Sequence, residues 1–130
     1  MACLETDFLV ALHRKDNEAI SFLEKLVRMG EPLSITPISL TELYFGAFKS
    51  VKQGSVMKVE EMAASLNLLN YDGYASREAG RLLDFLEKKG EKIGNLDTLT
   101  AAIAIRYNQK LITRNIKHFG KLKGLEIEKW

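Results

Sequence analysis

Glu5 in CLETDFLVAL, Glu42 in ISLTELYFGAF, Asp97 in IGNLDTLTAAIAI and Asn115 in LITRNIKHF each set an oxygen-bearing side chain at the edge of an apolar stretch. A carboxylate beside a buried core is costly unless something positive pairs with it. A hard divalent cation such as Mg²⁺ or Mn²⁺ meets that need, because it takes oxygen ligands and leaves positions open for phosphate oxygens. The pattern therefore points to metal-dependent phosphate chemistry. Each residue also has a plain structural use. Glu42 closes an S-x-x-E capping box opened by Ser39. Asp97 suits the first turn of a helix with Asn95 as its N-cap, where the macrodipole favours negative charge. Asn115 caps a short turn, and Glu5 and Asp7 serve as solvated turn residues.

The elements that must position these groups are short strands alternating with helices. A brief apolar start, Ala2 to Leu4, feeds a helix near residue 6 in which Phe8, Leu9, Ala11 and Leu12 recur at helical spacing. Asp16 caps a second helix running to about Met29, with Gly30 as the stop. A strand is expected over 33–37, then the capping-box helix to about Phe48 with Leu40, Leu43, Tyr44 and Ala47 on its buried side. Tyr44, Phe45 and Phe48 read as core or dimer interface. Further along come a helix over 56–66, a strand over 68–70, and a long amphipathic helix from Asp72 or Tyr74 to about Lys89. An apolar helix over 96–107, a strand over 110–113, one helical turn over 116–119 and a closing strand over 125–127 complete the chain. Such alternation implies a parallel sheet covered by helices on both faces, with the ligand site outside the carboxyl ends of its strands. Glu5 and Asn115 follow directly on strands, and Glu42 and Asp97 lie in the first turns of helices that start on the same edge, so the residues can converge.

Composition sets the outer bounds. A chain of 130 residues, 46% hydrophobic and 28% charged, has the balance of one domain, 1–130, with a real core. The formal charge of +2 is too mild to announce a nucleic-acid binder, which leaves such binding to local patches. A single Cys3 excludes an internal disulfide and most thiolate metal sites, and no His spacing suggests zinc, so His13 and His118 read as surface residues. No signal-peptide pattern opens the chain, and no apolar run approaches the roughly 18 to 20 residues that cross a bilayer, so a cytoplasmic protein with no membrane partner is expected.

Taken together, ETDFLVAL, S-L-T-E-L-x-x-G, I-G-x-x-D-x-x-T-A-A and L-I-T-R-N-I-K-H-F resemble, in order and spacing, the PIN-domain toxins of the VapC type. The likeness extends over essentially the whole chain, including the ending G-L-E-I-E-K-W. It implies a three-layer α/β/α fold with a short central parallel sheet. The implied activity is an endoribonuclease using Mg²⁺ or Mn²⁺, acting as the toxin of a toxin-antitoxin pair, with a cognate antitoxin as partner and a homodimer as assembly. Carried over by position, Glu5, Glu42 and Asp97 match the family's first, second and third acids. Asn115 matches a position that is often a fourth acid and is Asn in many members. Asp7 matches a position usually held by Asn, Ser or Asp. The resemblance thus assigns catalysis to Glu5, Glu42, Asp97 and Asn115 and metal binding to Glu5, Glu42, Asp97 and Asp7. The chain departs from the family in its first motif, where Glu5 stands in place of Asp and carries its carboxylate one methylene farther from the backbone.

Basic residues beside these positions, Arg114 and Lys117 above all, are expected to hold RNA phosphates, with the hydroxyls of Thr113 and Thr6 adding hydrogen bonds. Two other readings stand beside the nuclease. One is a catalytically impaired RNA-binding or partner-binding module on the same fold. The other, a receiver-like phosphoacceptor domain, lacks an acceptor Asp after a central strand.

Overall fold

The computed structural model describes residues 1–130. Its elements in chain order are β1 (Ala2–Leu4), α1 (Thr6–His13), α2 (Asn17–Arg28), β2 (Leu33–Ile35), α3 (Pro37–Lys49), α4 (Ser55–Ala64), β3 (Asn67–Leu68), α5 (Gly73–Lys89), α6 (Asn95–Arg106), β4 (Lys110–Ile112), α7 (Ile116–Phe119) and β5 (Ile127–Glu128). The strands form one sheet in the order β3-β2-β1-β4-β5, and every pairing is parallel. From β1 the chain builds outward to β2 and β3, then returns to place β4 on the other side. The boundary between β1 and β4 is therefore a topological switch point, where loops diverge and leave a crevice.

Alternation along the strands divides the core between two faces. Cys3 and Leu111 point to one side, where Ala75, Ala79 and Leu82 of α5, Ala101 and Ile103 of α6, and Phe119 cover them. Ala2, Leu4 and Ile112 point to the other, against Phe8, Leu9, Ala19 and Leu26 of α1 and α2. This is the three-layer α/β/α arrangement expected. Burial, with the charge of Glu5 adding to it, pushes the Cys3 thiol up to about 12, so it is an inert core residue. No helix is long and apolar enough to cross a membrane.

Helix α2 starts and stops where its sequence dictates: the Asp16 side chain accepts from the Ala19 N–H at 2.9 Å, and Gly30, at φ +68°, supplies the left-handed turn that ends it. Helix α3 begins earlier than the capping box over Ser39 and Glu42 implied. Thr36 is its N-cap, accepting from the Ser39 N–H at 3.0 Å, and Pro37 occupies the first helical position. Proline bars the preceding residue from helical geometry while suiting that first position, so the start is fixed one turn upstream. Glu42 consequently lies in the second turn and caps nothing. The Thr36 hydroxyl is fully buried, and Thr36→Ala is expected to cost about 1 to 2 kcal/mol, read as a fall of several degrees in Tm.

The remaining corrections are small. Asn95 is the first residue of α6 rather than its cap, since Gly94 precedes the helix without a side-chain bond. The third strand spans Asn67–Leu68 and the last Ile127–Glu128, each displaced by a residue or two from expectation because isolated edge pairs carry little sequence signal. Leu40 and Leu43 pack against the α1/α2 side of the core as expected, whereas Phe45 and Phe48 are 64% and 74% exposed, which removes them from the core.

Candidate active site

Three loops at the carboxyl edge of the sheet carry the chemistry. Glu5 follows β1 at the switch point and is the N-cap of α1, its Oε2 accepting from the Asp7 N–H at 3.1 Å. The longer Glu side chain thus folds back over its own helix start. Thr113 follows β4, the neighbour of β1, and its fully buried hydroxyl lies 3.3 Å from Glu5 Oε2 and 3.2 Å from Asp7 Oδ2. A hydroxyl has one proton, so Thr113 donates to one of these carboxyls at a time. Asp7 also accepts from the Arg114 backbone N–H at 2.7 Å and from the Trp130 indole N–H at 3.4 Å.

The other acids are tied into the same edge. The Thr6 hydroxyl donates to Glu42 Oε1 at 2.8 Å, bringing α3 to the start of α1. Asp97, in the first turn of α6, has its Oδ2 2.9 Å from His118 Nδ1. His118 in turn contacts Asn115, which caps α7 by accepting from the His118 N–H at 3.4 Å. The Asn115 N–H donates to the Thr113 hydroxyl at 3.0 Å, which closes a continuous path from Asp97 to Glu5. Glu42, half-buried, and Asp97 therefore sit on the same edge as Glu5, joined through Thr6 on one side and through His118, Asn115 and Thr113 on the other.

The electrostatics of this edge are unbalanced. Glu5 is 5% exposed, yet neither it nor Asp7 nor Glu42 forms an ion pair with any Lys, Arg or His. Burial, with Asp7 beside it, raises the Glu5 carboxyl to about 8, so a proton does the neutralising that no cation does. The contrast lies around Lys110 at the start of β4. There Glu31 and Glu128 lie 3.2 Å and 3.1 Å from its ammonium, and the terminal amine and Lys110 hold Glu31 below its ordinary value. Glu31 and Glu128 thus have a basic partner, whereas Glu5, Asp7 and Glu42 have none.

Buried or half-buried oxygen donors, three of them without a basic partner, suit a hard divalent ion. As the side chains stand, however, no group of three or more His, Cys, Asp or Glu side chains is arranged to hold one. The reason is visible in their bonds: Glu42 is turned onto Thr6, Asp97 onto His118, and Glu5 onto its own helix start. The donor types fit, although their side chains are now engaged by these other partners.

A model of the PIN domain matches residues 2–125. The chain belongs to the PIN domain family. Ribonuclease VapC2 of Rickettsia felis is 33% identical over 129 residues, covering 98% of this chain and 96% of that protein. The tRNA(fMet)-specific endonuclease VapC of Salmonella typhimurium is 31% identical over 99 residues, 75% of each chain. Among solved structures, VapBC2 from Rickettsia felis bound to a DNA fragment from their promoter contains a chain that superposes with a TM-score of 0.89 at 31% identity, covering 99% of this chain and 98% of that one. VapBC-1 from nontypeable Haemophilus influenzae gives 0.90 at 27% identity, covering 99% and 97%.

Against the sequence expectations, this PIN domain differs in its supporting residues. His118, expected at the surface, is the hydrogen-bonding partner of Asp97, and nothing in the local sequence marks it because its partner lies on another element. Thr113 is buried against carboxyls instead of facing outward, and the Arg114 guanidinium stacks over Trp130 at 3.6 Å and pairs with Glu18. Lys117 is exposed on α7. Because His118 orients a candidate ligand, His118→Ala is expected to weaken Mn²⁺ binding about 10- to 100-fold by calorimetry, with His118→Asn recovering part of the loss.

Proposed function

We propose that the chain is a metal-dependent endoribonuclease of the VapC kind, the toxin of a VapBC-type pair, with residues 1–130 acting as one domain. The observation that carries this reading is the Glu5, Asp7 and Glu42 edge: buried or half-buried acids with no basic partner, at the switch point of a parallel sheet. Glu5, Glu42 and Asp97, with Asp7 assisting, are the residues to hold Mg²⁺ or Mn²⁺. Such an ion supplies a bound water of lowered pKa and polarises a phosphoryl oxygen.

The remaining steps belong to the chain itself. Thr113 keeps Glu5 and Asp7 in register through its one hydroxyl, which lies within hydrogen-bond distance of both. The Asn115 amide, neutral and fixed by its cap, offers a donor to a phosphate oxygen or a water without adding charge to the site. Thr6, bonded to Glu42, sets that carboxylate relative to α1, and Lys117 is free to meet the RNA backbone.

VapBC assemblies among the similar structures support an antitoxin partner, and the exposed Phe45, Phe48, Val51 and Met57 on and after α3 give apolar surface for a protein contact, whether antitoxin or a second copy. A second reading, an impaired binding module, draws on Glu5 folded onto its own helix start and on the open carboxylate set. Incubating the pure protein with structured RNA, in Mn²⁺ or in EDTA, separates the two. Cleavage confined to the Mn²⁺ sample supports the nuclease, and intact RNA in both leaves the binding module.

A further inference from the structure

We propose that an open groove along α2, floored by Phe22 and Trp130, seats a nucleotide of single-stranded RNA next to the bond to be cut. This rests on the nuclease reading above and names how its substrate is held. The groove has a volume of about 550 Å³, within the range of roughly 300 to 1,000 Å³ that accommodates ligands of nucleotide size. It adjoins the carboxylate edge through Trp130, whose indole N–H lies 3.4 Å from Asp7 Oδ1 and whose ring is covered by Arg114, whose backbone N–H also bonds Asp7.

Its chemistry is that of an unpaired base with its phosphate. Phe22 and Trp130 provide aromatic surface that already carries cations, Lys25 over the Phe22 ring at 5.2 Å and Arg114 over the Trp130 ring, and both pack on Phe8, with ring centroids 5.8 Å and 5.3 Å away, so the floor is rigid. Lys25 and Arg28 supply cations along the helix. The carboxylate that lines the groove, Glu18, is already paired with Arg114. Lys25 stands 3.7 Å from Glu128, a carboxylate that Lys110 also holds at 3.1 Å, and an exposed pair of that kind is weak. Arg28 forms no ion pair at all. Asn17 and Ser21 add exposed donors and acceptors at the base edge. Aromatic surface interleaved with cations is how single strands are gripped, and a paired base in a duplex has no free face to offer it.

The chain has one tryptophan, so its emission reports on the groove directly. Titrating the full chain in EDTA with a short unstructured oligoribonucleotide is expected to quench Trp130 emission saturably, while the same bases in a duplex, or an acidic peptide, leave it unchanged. The Lys25→Glu, Arg28→Glu double variant is expected to weaken that binding about tenfold or more, and with Mn²⁺ to raise KM for RNA by a similar factor at constant kcat. Binding seen by anisotropy without a change in Trp130 emission, equal quenching by duplex or peptide, or an unaltered affinity in the double variant overturns the proposal. Quenching without any Mn²⁺-dependent cleavage sinks the nuclease reading and leaves the groove; cleavage without quenching does the reverse.

Discussion

Asp97→Asn is expected to lower Mn²⁺-dependent RNA cleavage at least about a hundredfold while leaving the thermal transition near its original temperature. The asparagine is isosteric, and its carbonyl oxygen still accepts from His118, so the bond at 2.9 Å that ties α6 to α7 is preserved in kind. What disappears is one negative charge in the first turn of a helix, together with its capacity to ligate a hard cation. Stabilisation of the developing phosphate charge by a bound ion is worth several kcal/mol, and a hundredfold corresponds to about 2.7 kcal/mol, so the stated loss is a lower bound. Glu42→Gln is expected to behave alike, because Glu42 lies beyond the first turn of α3 and serves no cap whose removal would unfold the helix. Asp72→Asn is the fitting control: Asp72 caps α5 and pairs with Arg106 at 3.2 Å, so its loss touches stability and not cleavage. Full cleavage by Asp97→Asn, measured under single-turnover conditions, would remove Asp97 from the chemistry and from the proposed ligand set.

Why these acids are legible in the sequence, and their supports are not, follows from where the information lies. Glu5 and Asn115 lie just past β-strands of three residues, and the sheet rule places whatever follows such strands at the ligand edge. Helix α2 announces both of its ends through Asp16 and Gly30. The start of α3 is misplaced by local pattern although Thr36-Pro37 encodes it, because S-x-x-E offers a competing signal and proline's restriction on its predecessor is the stronger one. His118 and Trp130 belong to a different class. Their partners, Asp97 and Asp7, are 21 and 123 residues away, and their roles exist only once β4, α6 and the chain after β5 have been assembled. Local pattern reaches residues that cap or follow elements; it does not reach residues that clamp one element to another.

Glu5→Gln is expected to stabilise the metal-free protein at pH 8 and to abolish its response to Mn²⁺. The folded protein holds the Glu5 carboxyl at about 8 where the unfolded chain has 4.5, for reasons of burial first and the neighbouring Asp7 second. Between those values the folded state keeps a proton that the unfolded state has lost, so stability falls as pH rises through the window and is fully present below it. The difference sets a ceiling on the order of 4 kcal/mol, or a Tm lower by about 10 °C at pH 8 than at pH 4.5 if no other group opposed it. Gln removes the titrating proton and can donate its amide to Asp7, so the variant's Tm should converge with that of the parent near pH 4.5 and exceed it increasingly toward pH 8. Mn²⁺ should act oppositely on the two proteins. In the parent it replaces the proton on Glu5 and raises Tm with release of H⁺, seen as a buffer-dependent binding enthalpy; in the variant neither effect remains. Parallel Tm curves for parent and variant across this pH range would mean that Glu5 is not the group held protonated by burial.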